Sequence, residues 1–415
     1  MKILHIVAGD LTGGAARGAY WLHLGLRELA IDSKILTDSR DTSADQNVIF
    51  AHKSKFIQID RAQLEIIPTF FYQNKKEVIF STGFVGFDFT KIKAYEEADI
   101  IHLHWINTGF VNIKHLSKVS KPIVWTMRDM WPITGGCHYS MGCENYKTGC
   151  GKCVQLNSSS RFDLSKAVLN RKVRYIPKNT VFVGISNWLS ETTRESYLLR
   201  SFDVRTIPNC INTKDFFPID KQVARTILGI QTDKKIILAG AQNINDFYKG
   251  FDKFIEAIRR LDESKYYLCF FGQLDVKLVD RRGFEYTNFG FLHDSISLRI
   301  LYSAADVFVA PSLMDAFGKT LAESMACGTP VVCFNATGPK NIVDHQVNGY
   351  KAVPFDGSDL ANGINWVLQS PDYPTLSNNA REKVLRCFDS TVVAKQYVEL
   401  YKSVLGRSHV TCSTR

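Results

Sequence analysis

The chain has 415 residues, enough for two to three domains at about 150 residues each, which excludes a single small binding module. Hydrophobic residues make up 45% and charged residues 22%, so long disordered, fibrous and low-complexity classes are excluded as well. Lys and Arg number 51 against 41 Asp and Glu, and the resulting charge of +10 favours anionic partners: a nucleic acid, an acidic membrane surface or a phosphorylated substrate.

A short apolar run, Ile3 to Ala8, opens the chain and ends at Gly9 and Asp10. It is too short for a signal-peptide core and reads as a first β-strand. No apolar stretch reaches the roughly 20 residues that a membrane-spanning helix needs, so a cytoplasmic protein is expected, at most attached to a membrane surface. A glycine-rich loop, Gly9 to Arg17, leads into a helix from Ala19 to Leu29 with Leu22, Leu26 and Leu29 on one face. The dinucleotide fingerprint G-x-G-x-x-G is absent, which argues against a dehydrogenase. Further strands are expected at Ser33 to Thr37, Ile100 to Leu103, Pro122 to Thr126 and Val181 to Ile185. Separated by helical or loop segments, they read as a doubly wound parallel sheet.

Between these strands, Phe70 to Lys76 is aromatic and partly basic, with Phe80, Phe84, Phe87 and Phe89 beyond it. Core strands with a solvated Lys pair are one reading, and contact with an anionic lipid surface is the other. Alternation along a strand puts His102 and His104 on the same side at the strand end. At the end of the next strand Arg128 either reaches an acceptor phosphate or pairs with Asp129. Cys137, Cys143, Cys150 and Cys153 then follow with C-x5-C-x6-C-x2-C spacing. Four thiolates can hold zinc tetrahedrally, which makes a structural zinc site the reading, with free thiols and disulfides as the alternatives.

A turn-rich stretch, Ile207 to Thr213 with Pro218 after it, suits an interdomain linker. The pattern then restarts, with strands at Lys235 to Ala239, Tyr266 to Phe271, Val307 to Ala310 and Pro330 to Phe334. Helices are expected at Phe251 to Leu261, Ser297 to Ala304, Lys319 to Ala326 and Thr391 to Leu405, and a disordered tail over the final ten residues. In open α/β sheets ligands lie beyond the carboxyl ends of the strands, so the chemistry is expected in a cleft between two such domains. Within Ala310 to Val332 a strand ends at Pro311 and a loop enters a helix near Gly318, where free backbone N–H groups suit anionic oxygens. Asp315 in the loop and Glu323 in the helix can reach different parts of one ligand.

This segment resembles retaining glycosyltransferases of family 4, whose pattern is a Glu, seven residues and a second Glu; Asp315 stands in place of the first Glu. The resemblance implies the GT-B fold, two facing Rossmann-like domains, with boundaries at 1–206 and 207–389 and a carboxyl-terminal helix, 390–406, packing back on the first. It also implies that Asp315 lies near the donor sugar and that Glu323 accepts hydrogen bonds from the nucleotide ribose. Asn245 to Phe251 resembles the family's Lys-Gly element, which gives Lys249 the donor pyrophosphate. Phe291 and Leu292 fall in the loop that receives the base, while Ala316, Phe317, Gly318 and Lys319 complete the donor site. Gly13 and Gly14 face the donor phosphates, Arg17, His102 and Arg128 fall on the acceptor side, and His104 lines the reaction centre.

The stretch from Trp131 to Tyr139 with its later cysteines is similar to a subgroup that builds bacterial surface polysaccharides such as colanic acid and O-antigen. The implied activity is retaining transfer of a sugar from a UDP- or GDP-type nucleotide sugar to a glycan or polyprenyl-diphosphate-linked acceptor. With no Asp-x-Asp motif, no metal cofactor is expected for catalysis. The alternatives are a nucleotide-sugar epimerase of the same architecture and a non-catalytic sugar-nucleotide binder. Dispersed positive charge and the lack of a nucleic-acid module argue against nucleic acid as a partner.

Overall fold

The computed structural model describes residues 1–39, 45–51, 55–73, 75–76, 78–274, 283–292 and 294–412. The chain divides into two compact units, one of Met1–Pro208 with Thr391–Arg415 and one of Asn209–Ser390. Each is a parallel sheet flanked by helices, as short, doubly buried apolar runs between amphipathic segments require.

In the first unit the strands are β1 (Lys2–Ile6), β2 (Asp32–Thr37), β3 (Val48–Phe50), β4 (Ile100–Leu103), β5 (Ile123–Met127), β6 (Val181–Gly184) and β7 (Asp203–Thr206). They run in the order β3-β2-β1-β4-β5-β6-β7, all parallel. β1 and β4 are the strands between which the winding reverses, so their carboxyl ends form the switch point where ligands of such sheets bind. The first helix, Gly14–Glu28, starts five residues earlier than its apolar stripe suggests, because extended Gly13 caps it directly.

The second unit contains β8 (Lys235–Asn243), β9 (Tyr266–Gln273), β10 (Tyr286–Asn288), β11 (Val307–Ala310), β12 (Val331–Phe334) and β13 (Gly349–Ala352). Their order is β10-β9-β8-β11-β12-β13, again parallel, with the switch point between β8 and β11. Phe254, Phe270, Val309, Val332 and Ile364 fill its core.

The carboxyl-terminal helix, Ser390–Cys412, belongs to the first unit. Its buried Tyr397 and Tyr401 hydroxyls meet Thr126 Oγ1 at 2.7 Å and His102 Nδ1 at 2.6 Å. The tail expected to be disordered is helical through Cys412, since no breaker follows Leu405 except Gly406, and Arg407 is anchored on Asp203 at 2.7 Å. Residues 413–415 of that expected tail lie outside the described residues.

Candidate functional site

In the second unit, the chain leaves β8 and turns through Phe247–Lys249 before entering the Phe251–Ile258 helix. Gly250 sits at φ +65°, and a Cβ there would fall 2.1 Å from the Pro311 carbonyl oxygen. Only glycine permits this approach, which sets the lysine turn against the loop leaving β11. The Leu313 amide donates to the Tyr248 carbonyl at 2.9 Å and holds the two loops together. Lys249 Nζ consequently stands 3.0 Å from Asp315 Oδ2.

Asp315 turns its other oxygen onto its own helix start. Oδ1 accepts from the Phe317 amide at 3.1 Å and the Gly318 amide at 3.0 Å, and Gly318, at φ +101°, begins the Lys319–Ala326 helix. The amides expected to hold a donor diphosphate are therefore capped by a side chain, because the short aspartate folds back two to three residues along its own backbone. Burial pushes the Asp315 carboxyl up, but the Lys249 ammonium and the two amides outweigh it and hold the group below its ordinary value.

One turn into that helix, Glu323 is 1% exposed. The Tyr302 hydroxyl donates to Oε2 at 3.1 Å, and Lys319 Nζ is 3.5 Å from Oε1. Among the described residues Oε1 accepts no hydrogen bond. An unsatisfied buried carboxylate oxygen is costly unless a ligand donor meets it, and a pair of vicinal hydroxyls suits it. Phe291 is exposed and Leu292 half-buried, in a turn fixed by the Gly272 amide on the Gly290 carbonyl at 2.7 Å.

In the first unit, Gly13 and Gly14 have open space where a side chain would project, as a loop facing a ligand requires. Arg17, expected on the acceptor side, is 8% exposed with its guanidinium over the Trp21 ring. The histidines form a buried layer. Arg128 Nη2 donates to His104 Nδ1 at 3.1 Å, and a guanidinium only donates, so the His104 proton sits on Nε2. Nε2–H then donates to His5 Nδ1 at 2.9 Å, which leaves the His5 proton on its own Nε2.

His102 is fully buried between Thr126 Oγ1 at 2.7 Å and Tyr401. Both of its nitrogens are committed, so the expected contact of His102 with an acceptor is replaced by an internal one. The His104 ring, expected to line the reaction centre, likewise has both nitrogens engaged, by Arg128 and His5. Asp129, the neighbour of Arg128, accepts from His138 Nδ1 at 2.6 Å, Trp105 Nε1 at 2.9 Å and the Trp131 amide at 2.8 Å. Burial first, and the neighbouring cationic groups second, hold His5, His102 and His104 well below the ordinary histidine value. The missed partner His5 was legible in one respect, since it lies on β1 directly opposite His102 on β4.

Among the described residues, the group of metal-capable side chains whose ligand atoms all lie within 4.8 Å of one another is His5, His102 and His104. With hydrogen bonds on the His102 and His104 nitrogens and the Arg128 cation beside them, that layer does not suit a metal ion. Cys137, Cys143, Cys150 and Cys153 line one small cavity with Phe80, Thr134 and Tyr146, and no disulfide joins them among the described residues. Burial pushes Cys137 up to about 12 and Cys150 up to about 11. Nearby Lys172 is fully buried, donating to the Trp131 carbonyl and to the Thr134 carbonyl at 2.9 Å. Burial pushes its ammonium down to about 7, against the pull of Cys137 and Cys150.

Residues 12–215 match the family described as Glycosyltransferase Family 4, and residues 220–383 match Glycosyl transferases group 1. An uncharacterized glycosyltransferase of Methanocaldococcus jannaschii is 27% identical over 334 residues, covering 76% of this chain and 79% of that protein. The putative colanic acid biosynthesis glycosyl transferase WcaC of Escherichia coli is 25% identical over 266 residues, 61% of this chain and 62% of that protein. Among solved structures, Anabaena HepE in complex with UDP and glucose shares the fold, with a TM-score of 0.64 at 18% identity over 97% of this chain and 100% of that one.

Proposed function

The chain carries a Glycosyltransferase Family 4 domain followed by a group 1 domain and is a glycosyltransferase of the GT-B type, and from that premise we propose retaining transfer from a nucleotide diphosphate sugar to a hydroxyl of a lipid-linked glycan in surface-polysaccharide assembly. The observation that carries the donor reading is the buried Oε1 of Glu323, which accepts no hydrogen bond among the described residues although the Lys319 ammonium lies 3.5 Å away. It receives the ribose hydroxyls, while Lys249 neutralises the diphosphate as the C1–O bond to phosphate breaks. The acceptor oxygen bonds to C1 on the face the phosphate leaves, and its proton passes to the departing phosphate oxygen. Asp315, released from Lys249 by the incoming phosphate, turns to the sugar hydroxyls. No metal takes part, because the sequence offers no Asp-x-Asp pair. The likeness to WcaC supports the polysaccharide class.

Thermal denaturation with UDP, GDP or ADP in EDTA tests this. A nucleotide at a hundred times its Kd stabilises the protein by about 2.7 kcal/mol, so one of the three raises the midpoint of the wild type. Glu323→Ala loses that shift, and Glu323→Gln, which keeps an acceptor oxygen, retains part of it. A wild type that none of them stabilises overturns the donor reading.

The four-cysteine cavity is proposed to hold one structural zinc. Supporting it, the Gly135 amide donates to the Cys150 sulfur, the Gln155 and Leu156 amides donate to Cys153, and buried Lys172 offsets the net negative charge of a four-thiolate centre. Among the described residues, the cysteine sulfurs do not reach the mutual closeness of the histidine layer. Elemental analysis of protein purified without chelator is expected to give one zinc per chain, lost in Cys150→Ser. Metal-free protein of normal stability refutes the site.

A further inference from the structure

The Lys55–Ile66 helix is amphipathic the wrong way round. Its inward face carries charge: Glu65 is 2% exposed, with its carboxylate accepting from the Gly83 amide at 2.6 Å and the Val85 amide at 3.4 Å. Arg61 lies over the Phe87 ring, and the Gly109 backbone packs against its carbonyl. The outward face shows Ile57, Ile59, Leu64 and Ile66, each at least 42% exposed. The turn that continues it, Ile67–Phe71, presents Phe70 at 66% and Phe71 at 83%. Among the described residues, eight of the 22 exposed large apolar side chains fall between residues 57 and 79, so this is one concentrated patch and not ordinary surface scatter.

A second segment, distant in sequence, joins it. The Leu164 amide donates to the Tyr72 hydroxyl at 2.8 Å, and the Lys76 amide to the Gln155 carbonyl at 3.0 Å. This tie brings up Phe162, 89% exposed, and Val154. Around the apolar tips stand exposed Lys75, Lys76, Lys152 and Arg161; Lys75 Nζ is 5.4 Å from the centre of the Phe70 ring. On the helix itself, Asp60 is the one exposed carboxylate among the residues whose side chains are described.

We propose that this face, the outward side of Ile57–Phe71 together with Val154 and Phe162, docks on an anionic lipid bilayer. Aromatic and branched apolar tips enter the acyl boundary while lysine and arginine heads meet lipid phosphates. Charge selects the bilayer over a second copy of the chain, since pairing two such faces sets cation against cation. The inference deepens the lipid-linked acceptor reading proposed above by giving that acceptor's membrane a seat on the first unit. Its test needs no donor, nucleotide or turnover, so its failure is distinct from failure of the transferase reading.

The full chain is floated with vesicles of phosphatidylcholine alone or mixed with phosphatidylglycerol. Recovery with the anionic vesicles is expected to exceed that with neutral ones by tenfold or more, because several basic residues stand near the surface, and to fall with salt. Phe70→Ser/Phe71→Ser/Phe162→Ser, three exposed positions whose loss leaves the thermal midpoint unchanged, abolishes flotation, and Lys75→Glu/Lys76→Glu abolishes the preference for anionic lipid. Equal recovery with and without anionic lipid overturns the proposal, as does a serine variant that floats like wild type. A wild-type dimer in solution that the serine variant converts to monomer assigns the face to self-association instead.

Discussion

Lys249→Ala is expected to lower kcat by about 10²–10³-fold, the usual loss when one preorganised group facing developing charge is removed. Two features make the effect large. Gly250 and the Pro311 loop fix the lysine turn, so its ammonium is placed before any ligand arrives and no ordering is left for the reaction to accomplish. Its partner in the resting protein is Asp315, an anion already held on the Phe317 and Gly318 amides, which marks the spot as one built to hold negative oxygen. In the mechanism proposed above, leaving-group phosphate takes over that contact. Steady-state transfer assays with the donor identified by thermal shift give the measurement, and an unchanged thermal midpoint shows that the variant is folded. Lys249→Arg keeps the charge but not the geometry and falls between the two. A kcat within a few-fold of wild type removes Lys249 from the reaction.

Mild acid is expected to unfold the first unit steeply. His5, His102 and His104 are held neutral in the native protein because burial and neighbouring Arg128 depress their pKa values. In the unfolded chain each titrates near its ordinary value of about 6.5. Below that pH these three groups together bind three more protons in the unfolded state than in the native one, so their contribution to stability rises with pH and falls as acid is added. Three protons correspond to about 4 kcal/mol per pH unit, starting at about pH 6.5 and continuing down to the depressed native values. Urea denaturation monitored at a series of pH values measures the slope. His5→Asn, whose carbonyl oxygen can still accept from His104, removes one of the three protons and makes the slope shallower by a third. A stability flat from pH 7 to 5 would contradict neutral native histidines.

The residues of the proposed donor site could be singled out in the second unit because its parts are local. Lys249, Asp315 and Glu323 each sit within a few residues of a strand end, and strand, loop and helix follow one another in the chain. The central strands were readable for the same reason, as unbroken apolar runs. β3 and β10 were not, being three residues long and mostly half-exposed, too short to show a period. Asp315 capping its own helix escaped notice because a pattern of residue types does not reveal where a side chain turns. The Arg128–His104–His5 chain joins three strands, and only sheet order brings those residues together. The Lys55–Ile66 helix shows the deepest limit: periodicity separates two faces, yet it assumes that the apolar one goes inside, and here Glu65 does.

The carboxyl-terminal helix carries a consequence for how the protein is made. Tyr397 and Tyr401 close the layer around His102 and Thr126, but the whole of the second unit is encoded between Pro208 and Thr391. At ribosomal rates of about 5–20 residues per second, the nascent first unit waits about 10–40 s with that layer open. During this interval its sheet is present in full and its seal is still being synthesised. Translation speed through the second unit, a property that leaves no trace in the finished fold, therefore sets how long the histidine layer is exposed to water and to chaperones.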